Sequence, residues 1–280
     1  MSLLLQTDIE KECRARIRGT VARAGGTVDQ LFSYKDCSVQ DINLIDGGFG
    51  VLGKLSSRRS SLLSLSFLKR LKQDLGYLIQ GPRVPRDHKT LILDMHDAHL
   101  DDGLEHRFDA AISSNLLEHS PNPIFLLLNF YFITKQGGYQ FHALPHYKYT
   151  YDRFRLPTPV GHLLEDFENF TGMDDTSHVE DYAQSAIEKD GWQREFHKKY
   201  PLHYPYIHFH CFDEFNTREL MQLMFQDVVN DVLRTERFSD NVVIFRNSLN
   251  PEFVDRYGDV IKKYSAKFTS DRLVPETDDQ

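Results

Sequence analysis

The 280-residue chain carries 33 Lys and Arg against 41 Asp and Glu, a net charge of −8. That balance excludes a broad nucleic-acid surface, which needs cations clustered against phosphate. Hydrophobic residues make up 40% of the chain and include 20 Phe, ample for the core of one large domain spanning 1–280.

Cys13, Cys37 and Cys211 are odd in number and widely spaced. They suggest neither a disulfide framework nor a cysteine zinc site, and fit a reducing, cytoplasmic setting. Met1 to Gln6 is too short an apolar run for a signal peptide before Asp8 and Glu10. The longest apolar run, Pro123 to Ile133, falls far below the roughly 20 residues that span a bilayer. A soluble protein without a membrane span is expected.

Taken in order, Thr7-Asp8-Ile9-Glu10 fits a capping box. A helix is predicted from Asp8 to about Arg23, stopped by Gly25-Gly26, so that 1–26 forms an N-terminal helical segment. Its Arg14, Arg16, Arg18 and Arg23 are either a solvated face or a contact to an anion. Asp41 to Ile45 is a short strand candidate, followed by Asp46-Gly47-Gly48-Phe49-Gly50. Glycines after a strand let the backbone turn tightly and approach a ligand with no Cβ in the way. Ser56 to Ile79 reads as a helix with a basic side, and Gly81 to Arg86 as a loop. Leu91-Ile92-Leu93 is a compact strand candidate ahead of Asp97-Ala98-His99-Leu100.

Ala110 to Ser113 are small or apolar without alternation, as in a strand buried on both faces of a parallel sheet. Polar groups follow at Ser114, Asn115, Glu118 and His119, and Ser120-Pro121-Asn122-Pro123 opens a helix over Ile124 to Ile133. Gln136-Gly137-Gly138 is expected to stop that helix, and Tyr139 to Leu144 to form the next strand. This is one βαβ unit, with its polar residues just past the strands' carboxyl ends, where such folds bind ligands.

Pro145 to Pro159 is dense in aromatic, imidazole and charged groups, which are costly to bury without partners and so line a wet cleft. Gly161 to Asp166 is helical. Asn169 to Tyr200 reads as acidic and mostly helical, and 165–205 is delimited as an insertion serving as a lid. Its Trp192 either packs the lid or stacks on a substrate ring. His208 and His210 are one strand repeat apart and would face the same side. No carboxylate partners at suitable spacing are evident, so no metal is expected. Asp227 to Phe238 and Asn241 to Arg246 supply a helix turn, a strand and an antiparallel return. Pro251 to Lys267 forms a peripheral helix, and Asp271 to Gln280 a loose tail.

FDAAISSNLLEHSPNPI followed by ITKQGGYQFHALPH resembles the fourth- to fifth-strand region of class I S-adenosylmethionine-dependent methyltransferases. That pattern is roughly F-D-x-V-x-x-x-x-x-L-E-H, a helix, then L-x-P-G-G, with Gln136 here in the usual proline's place. Asp46, Gly48 and Gly50 resemble the family's first glycine motif, D-x-G-x-G, with Leu52 where a third glycine is usual. Asp97-Ala98-His99-Leu100 resembles its D-A-x-x-L segment. Pro145 to Thr158, with the Gly161-to-Asp166 helix, resembles a bacterial subgroup often linked to polysaccharide assembly.

The resemblance implies an α/β, Rossmann-like doubly wound sheet, mostly parallel with an antiparallel last strand, plus the helical insertion. It implies S-adenosylmethionine as cofactor. Asp46, Gly48 and Gly50 would hold its methionine part, Asp97 and the Ala98 amide its adenine, and Ser114, Asn115 and Leu116 would lie beside it. The acidic residue that ends the family's second strand and holds the ribose has no convincing match between Gly53 and Lys89.

Methyl transfer from a sulfonium requires an aligned acceptor, exclusion of water and, for a hydroxyl acceptor, a base. Histidine suits that role. His146 and His119, just beyond the fifth and fourth strands, are the candidates, each with a structural alternative. Tyr149, Asp152, Arg153 and Arg155 are candidates for binding a polar or anionic acceptor, with ion pairing among the charged ones as the alternative. O-methylation of a small-molecule or glycan acceptor is expected. The alternative is a non-catalytic, methyltransferase-like binding or scaffold protein in polysaccharide assembly. A dinucleotide enzyme fits less well, because Asp46 to Gly50 lacks G-x-G-x-x-G. The oligomeric state is not encoded in any pattern found.

Overall fold

The computed structural model describes residues 8–25, 37–43, 91–92, 104–203, 206–234 and 239–264. Thr7, 44–90, 93–103 and 265–280 lie outside them, and with them Asp46, Gly48, Gly50, Asp97, Ala98 and the tail.

Helix α1 (Asp8–Arg16) is followed by strand β1 (Gly19–Gly25). The helix predicted to reach Arg23 therefore stops at Arg16. Val21, Ala22 and Ala24 are buried, and β1 pairs in parallel with β2 (Cys37–Asn43) on one side and β4 (Phe108–Ser114) on the other. Sheet pairing on both edges overrides the helix-like arginine pattern.

The seven strands include β3 (Leu91–Ile92), β5 (Thr134–Pro145), β6 (Val229–Arg234) and β7 (Ser239–Arg246), in the order β3-β2-β1-β4-β5-β7-β6. Strands β1 to β5 pair in parallel, while β7 runs against both of its neighbours. The chain winds outward from β1 to β3, then crosses to β4 and winds the other way. The reversal lies between β1 and β4, and the crevice beyond the carboxyl ends of those strands is where a doubly wound sheet binds ligands.

This order moves one sequence motif. The strand before Asp46 is the second strand, not the first, so D-x-G-x-G does not follow β1. Gly25, read as part of a helix stop, is instead the last residue of β1, and Gly26 lies outside the described residues.

Helix α2 (Pro123–Ile133) is buried along its whole length and is capped by Asn122, whose Oδ1 accepts from the Phe125 amide at 3.0 Å. Burial of each large side chain contributes roughly 1.5–3 kcal/mol, which explains a helix without a polar face. β5 starts directly after it at Thr134, so Gly137-Gly138 lie inside the strand rather than in a turn. The Asn247 amide takes the carbonyls of Tyr131, Thr134 and Lys135 at 3.1, 2.8 and 3.0 Å, satisfying the helix end. The register slips between Phe108 and Ala110, and a Cβ on Gly138 would sit 2.5 Å from the Asp109 carbonyl oxygen. Only glycine fits this bulge.

Beyond the sheet lie α3 (Val160–Glu168), α4 (Ser177–Tyr182) with a π turn after it (Ala183–Ile187), α5 (Gly191–His197), α6 (Glu214–Met224) and α7 (Pro251–Tyr264). Side chains of α2, α3, α6 and α7 share one core layer with the sheet, and α1 packs Ile9 and Cys13 against its other face. No helix among the described residues is long and apolar enough to cross a membrane.

Candidate functional site

The β1 and β4 ends meet closely. Gly25 has φ of 80°, and a Cβ there would lie 2.3 Å from the Ser114 carbonyl oxygen and 3.3 Å from Leu116. Only glycine allows this approach. Asn115 also takes a left-handed backbone, φ 51°, with its amide donating to the Ala143 carbonyl at 3.0 Å. The Ser114 hydroxyl donates to Asn115 Oδ1 at 2.9 Å. Ser114, Asn115 and Leu116 thus form the turn at the switch point.

A single 3-10 turn, Leu117–His119, follows and buries Glu118 and His119. His119 Nδ1 lies 2.7 Å from the Ile207 carbonyl, which can only accept, so Nδ1 carries the proton and Nε2 a lone pair. The His208 ring stands edge-on at 4.6 Å. His208 Nδ1 meets Asp152 Oδ2 at 2.5 Å, leaving its Nε2 as the basic nitrogen. Glu118, His119 and His208 each bring one ligand-type atom within 4.8 Å of the others.

Asp152 is held from several sides. Its Oδ1 accepts from Arg155 at 2.9 Å and its Oδ2 from the Thr150 hydroxyl at 3.0 Å. Burial alone would raise this carboxyl, but the His208 hydrogen bond and the Arg155 charge outweigh it and hold it below the usual range. Arg155 also donates to the His208 and Phe209 carbonyls, each at 2.8 Å, and pairs with Asp181 at 2.7 Å. Among the described residues neither carboxylate oxygen of Glu118 meets a hydrogen-bond partner. Burial pushes that carboxyl up to about 7, against the pull of His208.

His146 sits differently. Its Nδ1 accepts from the Lys148 amide at 3.3 Å, which caps the 3-10 turn Tyr147–Tyr149, and its Nε2 donates to Glu214 at 3.0 Å. Both ring nitrogens are committed to positioning the loop.

That loop borders a cleft of about 470 Å³ lined by Lys148, Tyr149, Thr150, Tyr151, Arg153, Asp190 and Trp192. Arg153 pairs with Asp190 at 2.6 Å, and Asp190 also caps α5 through the Trp192 amide at 2.9 Å. Trp192 is 65% exposed and stacks on Phe196. Tyr151 has the cleft on one side and the His208 ring at 4.4 Å on the other. Of the predicted acceptor residues, Tyr149 and Arg153 line the cleft, whereas Asp152 and Arg155 belong to the buried ion network.

His208 and His210 do not share a face. The segment is not a strand, because its amides turn to one carbonyl: Phe209 and His210 both donate to Glu118, at 2.8 and 3.3 Å. His208 joins Asp152, and His210 joins a separate group on α3 and α4. Sequence reasoning missed His208 as the partner of Asp152, since nothing local links residues 56 apart. It also passed over Asp41, an acidic residue near the end of β2, where a ribose-binding acid belongs under the family resemblance. Reading Gly19–Gly25 as helix makes the 37–43 strand the first rather than the second, and so points the search for that acid to the wrong segment.

No family model matches the chain, and no curated protein matches it. Similar solved structures include the CurJ carbon methyltransferase, at 14% identity over 82% of this chain and 49% of that one, with a TM-score of 0.41. A SAM-dependent methyltransferase from Methanosarcina mazei is 13% identical over 86% of this chain and 97% of its own, with a TM-score of 0.45. The trans-methyltransferase CalH, in complex with SAH, is 13% identical over 85% and 53%, with a TM-score of 0.38. The chain spans about half the length of the CurJ and DszA carbon methyltransferases, 49% and 48%. Among the described residues the strand order, the reversed β7 and the helices on both faces make a Rossmann-like, doubly wound α/β architecture.

Proposed function

We propose that the chain binds S-adenosylmethionine at the β1–β4 switch point and methylates a hydroxyl of a small-molecule or glycan acceptor. The observation that carries this reading is the buried Asp152–His208 pair beside Glu118 and His119, set just past the end of β4. The cofactor would lie in the crevice beside Gly25, whose missing Cβ lets the end of β1 approach the Ser114 carbonyl. Gly25, Ser114, Asn115 and Leu116 would line its site. Asp97 and Ala98 keep their motif-based roles, whereas Asp46, Gly48 and Gly50 follow β2 and lose theirs, and Asp41 near the end of β2 is the ribose-binding candidate. When bound, the cofactor supplies the electrophilic methyl group.

His208 Nε2 takes the acceptor's proton, and Asp152 fixes the tautomer and stabilises the imidazolium that forms. His119 Nε2 is a second acceptor in the same cluster. Glu118, its carboxyl pushed up to about 7 by burial, lies in the same cluster. His146 holds the loop in place as a positioning residue. In the cleft, Tyr149, Tyr151 and Trp192 offer faces for a sugar ring, while Lys148 and Arg153 suit its anionic substituents. Among the described residues Cys13, Cys37 and Cys211 form no disulfide, in keeping with the cytoplasmic location we propose.

A non-catalytic binding protein is the second reading. It is favoured by the burial of His119 and His208, 5% and 6% exposed beneath Tyr151. Calorimetric titration with S-adenosylmethionine and S-adenosylhomocysteine, followed by labelled methyl transfer to sugars and phenols, separates the two. Absence of binding at millimolar cofactor sinks the enzyme reading. Binding without transfer to any acceptor class selects the binding protein.

A further inference from the structure

We propose that His162, Asp166, His178 and His210 form a closed, tetrahedral site for one zinc-type divalent ion that clamps α4 onto α3. The inference departs from the sequence expectation of no metal and stands independently of the methyl-transfer reading.

α3 presents His162 and Asp166 one turn apart on the same face. α4 adds His178 in its first turn, and the loop after Phe209 adds His210, 0% exposed. His162 Nε2 and His178 Nε2 are 3.0 Å apart, and each lies 3.4 Å from Asp166 Oδ2. His210 Nε2 is 3.7 Å from the same oxygen and donates to the Pro121 carbonyl at 3.2 Å, a bond it would give up, with its proton, on binding the ion. One ligand atom from each of the four residues falls within 4.8 Å of all the others. Ligands about 2.0–2.1 Å from a tetrahedral zinc stand about 3.3 Å from one another, close to the 3.0–3.7 Å between the His162 and His178 nitrogens and from Asp166 Oδ2 to the three imidazoles.

Hydrogen bonding alone leaves this cluster unsatisfied. Among the described residues Asp166 Oδ2 is buried and makes no hydrogen bond, with three imidazole nitrogens 3.4–3.7 Å away. A buried carboxylate oxygen without a hydrogen bond is strongly disfavoured, and a shared cation among these nitrogens removes the problem. The supporting shell is present as well. Asp175 Oδ2 takes His178 Nδ1 at 2.6 Å, turning Nε2 inward, and the Ser177 hydroxyl holds Asp175 at 2.9 Å.

Three imidazole nitrogens and one carboxylate select zinc, with cobalt and nickel as substitutes, over magnesium and calcium, which demand oxygen. Four protein ligands leave no open position, so the ion is structural. His162, 43% exposed, is the entry side.

The test is metal analysis of the full chain after chelation and dialysis against zinc chloride. About one equivalent of zinc is expected, and cobalt in its place should give the intense visible bands of tetrahedral coordination. His162→Ala and His178→Ala should lose the ion while circular dichroism reports folding, and Glu118→Gln should keep it. Asp175→Asn should weaken zinc binding about 10- to 100-fold, which gives a readout even if the ligand variants fold poorly. No zinc above background, a full equivalent retained by folded His162→Ala and His178→Ala, or loss of the ion in folded Glu118→Gln would overturn the proposal.

Discussion

His142 in the middle of the sheet and His208 above its carboxyl edge are both buried imidazoles, yet they live in opposite chemistries. His142 lies between the Ser113 hydroxyl at 2.7 Å and the Gln140 amide at 3.0 Å, with Gln140 in turn bonded to Asn247. All of its partners are neutral, and burial pushes it down to about 3. His208 meets the Asp152 carboxylate, itself locked by Arg155. The sheet interior solves burial with neutral polar groups, which are inert near neutral pH. The layer over the strand ends solves it with paired charges, which can move protons. Chemistry is therefore expected in the layer and not in the sheet, although both hold buried histidine.

The sharpest way to break this comparison is Asp152→Asn. It removes the acceptor that fixes the His208 tautomer, so methyl transfer should fall about 10²- to 10⁴-fold, with S-adenosylmethionine affinity unchanged by calorimetry. Retained transfer would show that the pair does no proton chemistry. Arg155→Met leaves Asp152 as a buried, half-compensated charge, and should cost about 3–5 kcal/mol in denaturant unfolding. A loss below about 1 kcal/mol would mean the layer behaves like an exposed surface pair.

In the sheet, His142→Gln should change the pH dependence of stability. The unfolded chain takes up this proton near pH 6.5, the folded one only near 3. The unfolded state therefore binds more protons in that window. The wild type loses stability as pH falls from 6.5 towards 3, by up to about 1.4 kcal/mol per pH unit. The difference between variant and wild type in thermal unfolding should show that slope, and parallel curves would refute it.

The smallest effect belongs to the amino edge, where Asp109 is bonded to Lys135 at 2.6 Å and to the Thr20 hydroxyl at 2.7 Å. Those contacts hold its carboxyl down to about 2. Its stabilisation is present above pH 3.8 and lost as pH falls through 2. The side chain is 37% exposed, so Asp109→Asn should cost well under about 1 kcal/mol at pH 7. A cost comparable to that of Arg155→Met would erase the contrast between edge and layer.

How much of this was legible varies along the chain. The 108–145 unit could be read because an all-apolar helix and a strand without alternation are local signals, each needing only its own residues. β1 could not. Four arginines and a double glycine mimic a helix and its stop, and the strand is specified by β2 and β4, the latter nearly 90 residues away, as the Thr20–Asp109 contact shows. That one misreading displaced the glycine motif and hid Asp41. The histidines show the same limit. A strand period of two places His208 and His210 on one face, but the Glu118 carbonyl takes both following amides and sends the rings apart.

The amino-acid sequence by itself determined the α/β class, the βαβ unit and the polar character of the strand ends, because hydrophobic periodicity and turn residues act over a few positions. Only the tertiary structure decided which strand comes first, which histidine meets Asp152, and that His162, Asp166, His178 and His210 converge. Those outcomes depend on contacts between distant segments whose geometry is set by sheet pairing and core packing, and no local spacing encodes them.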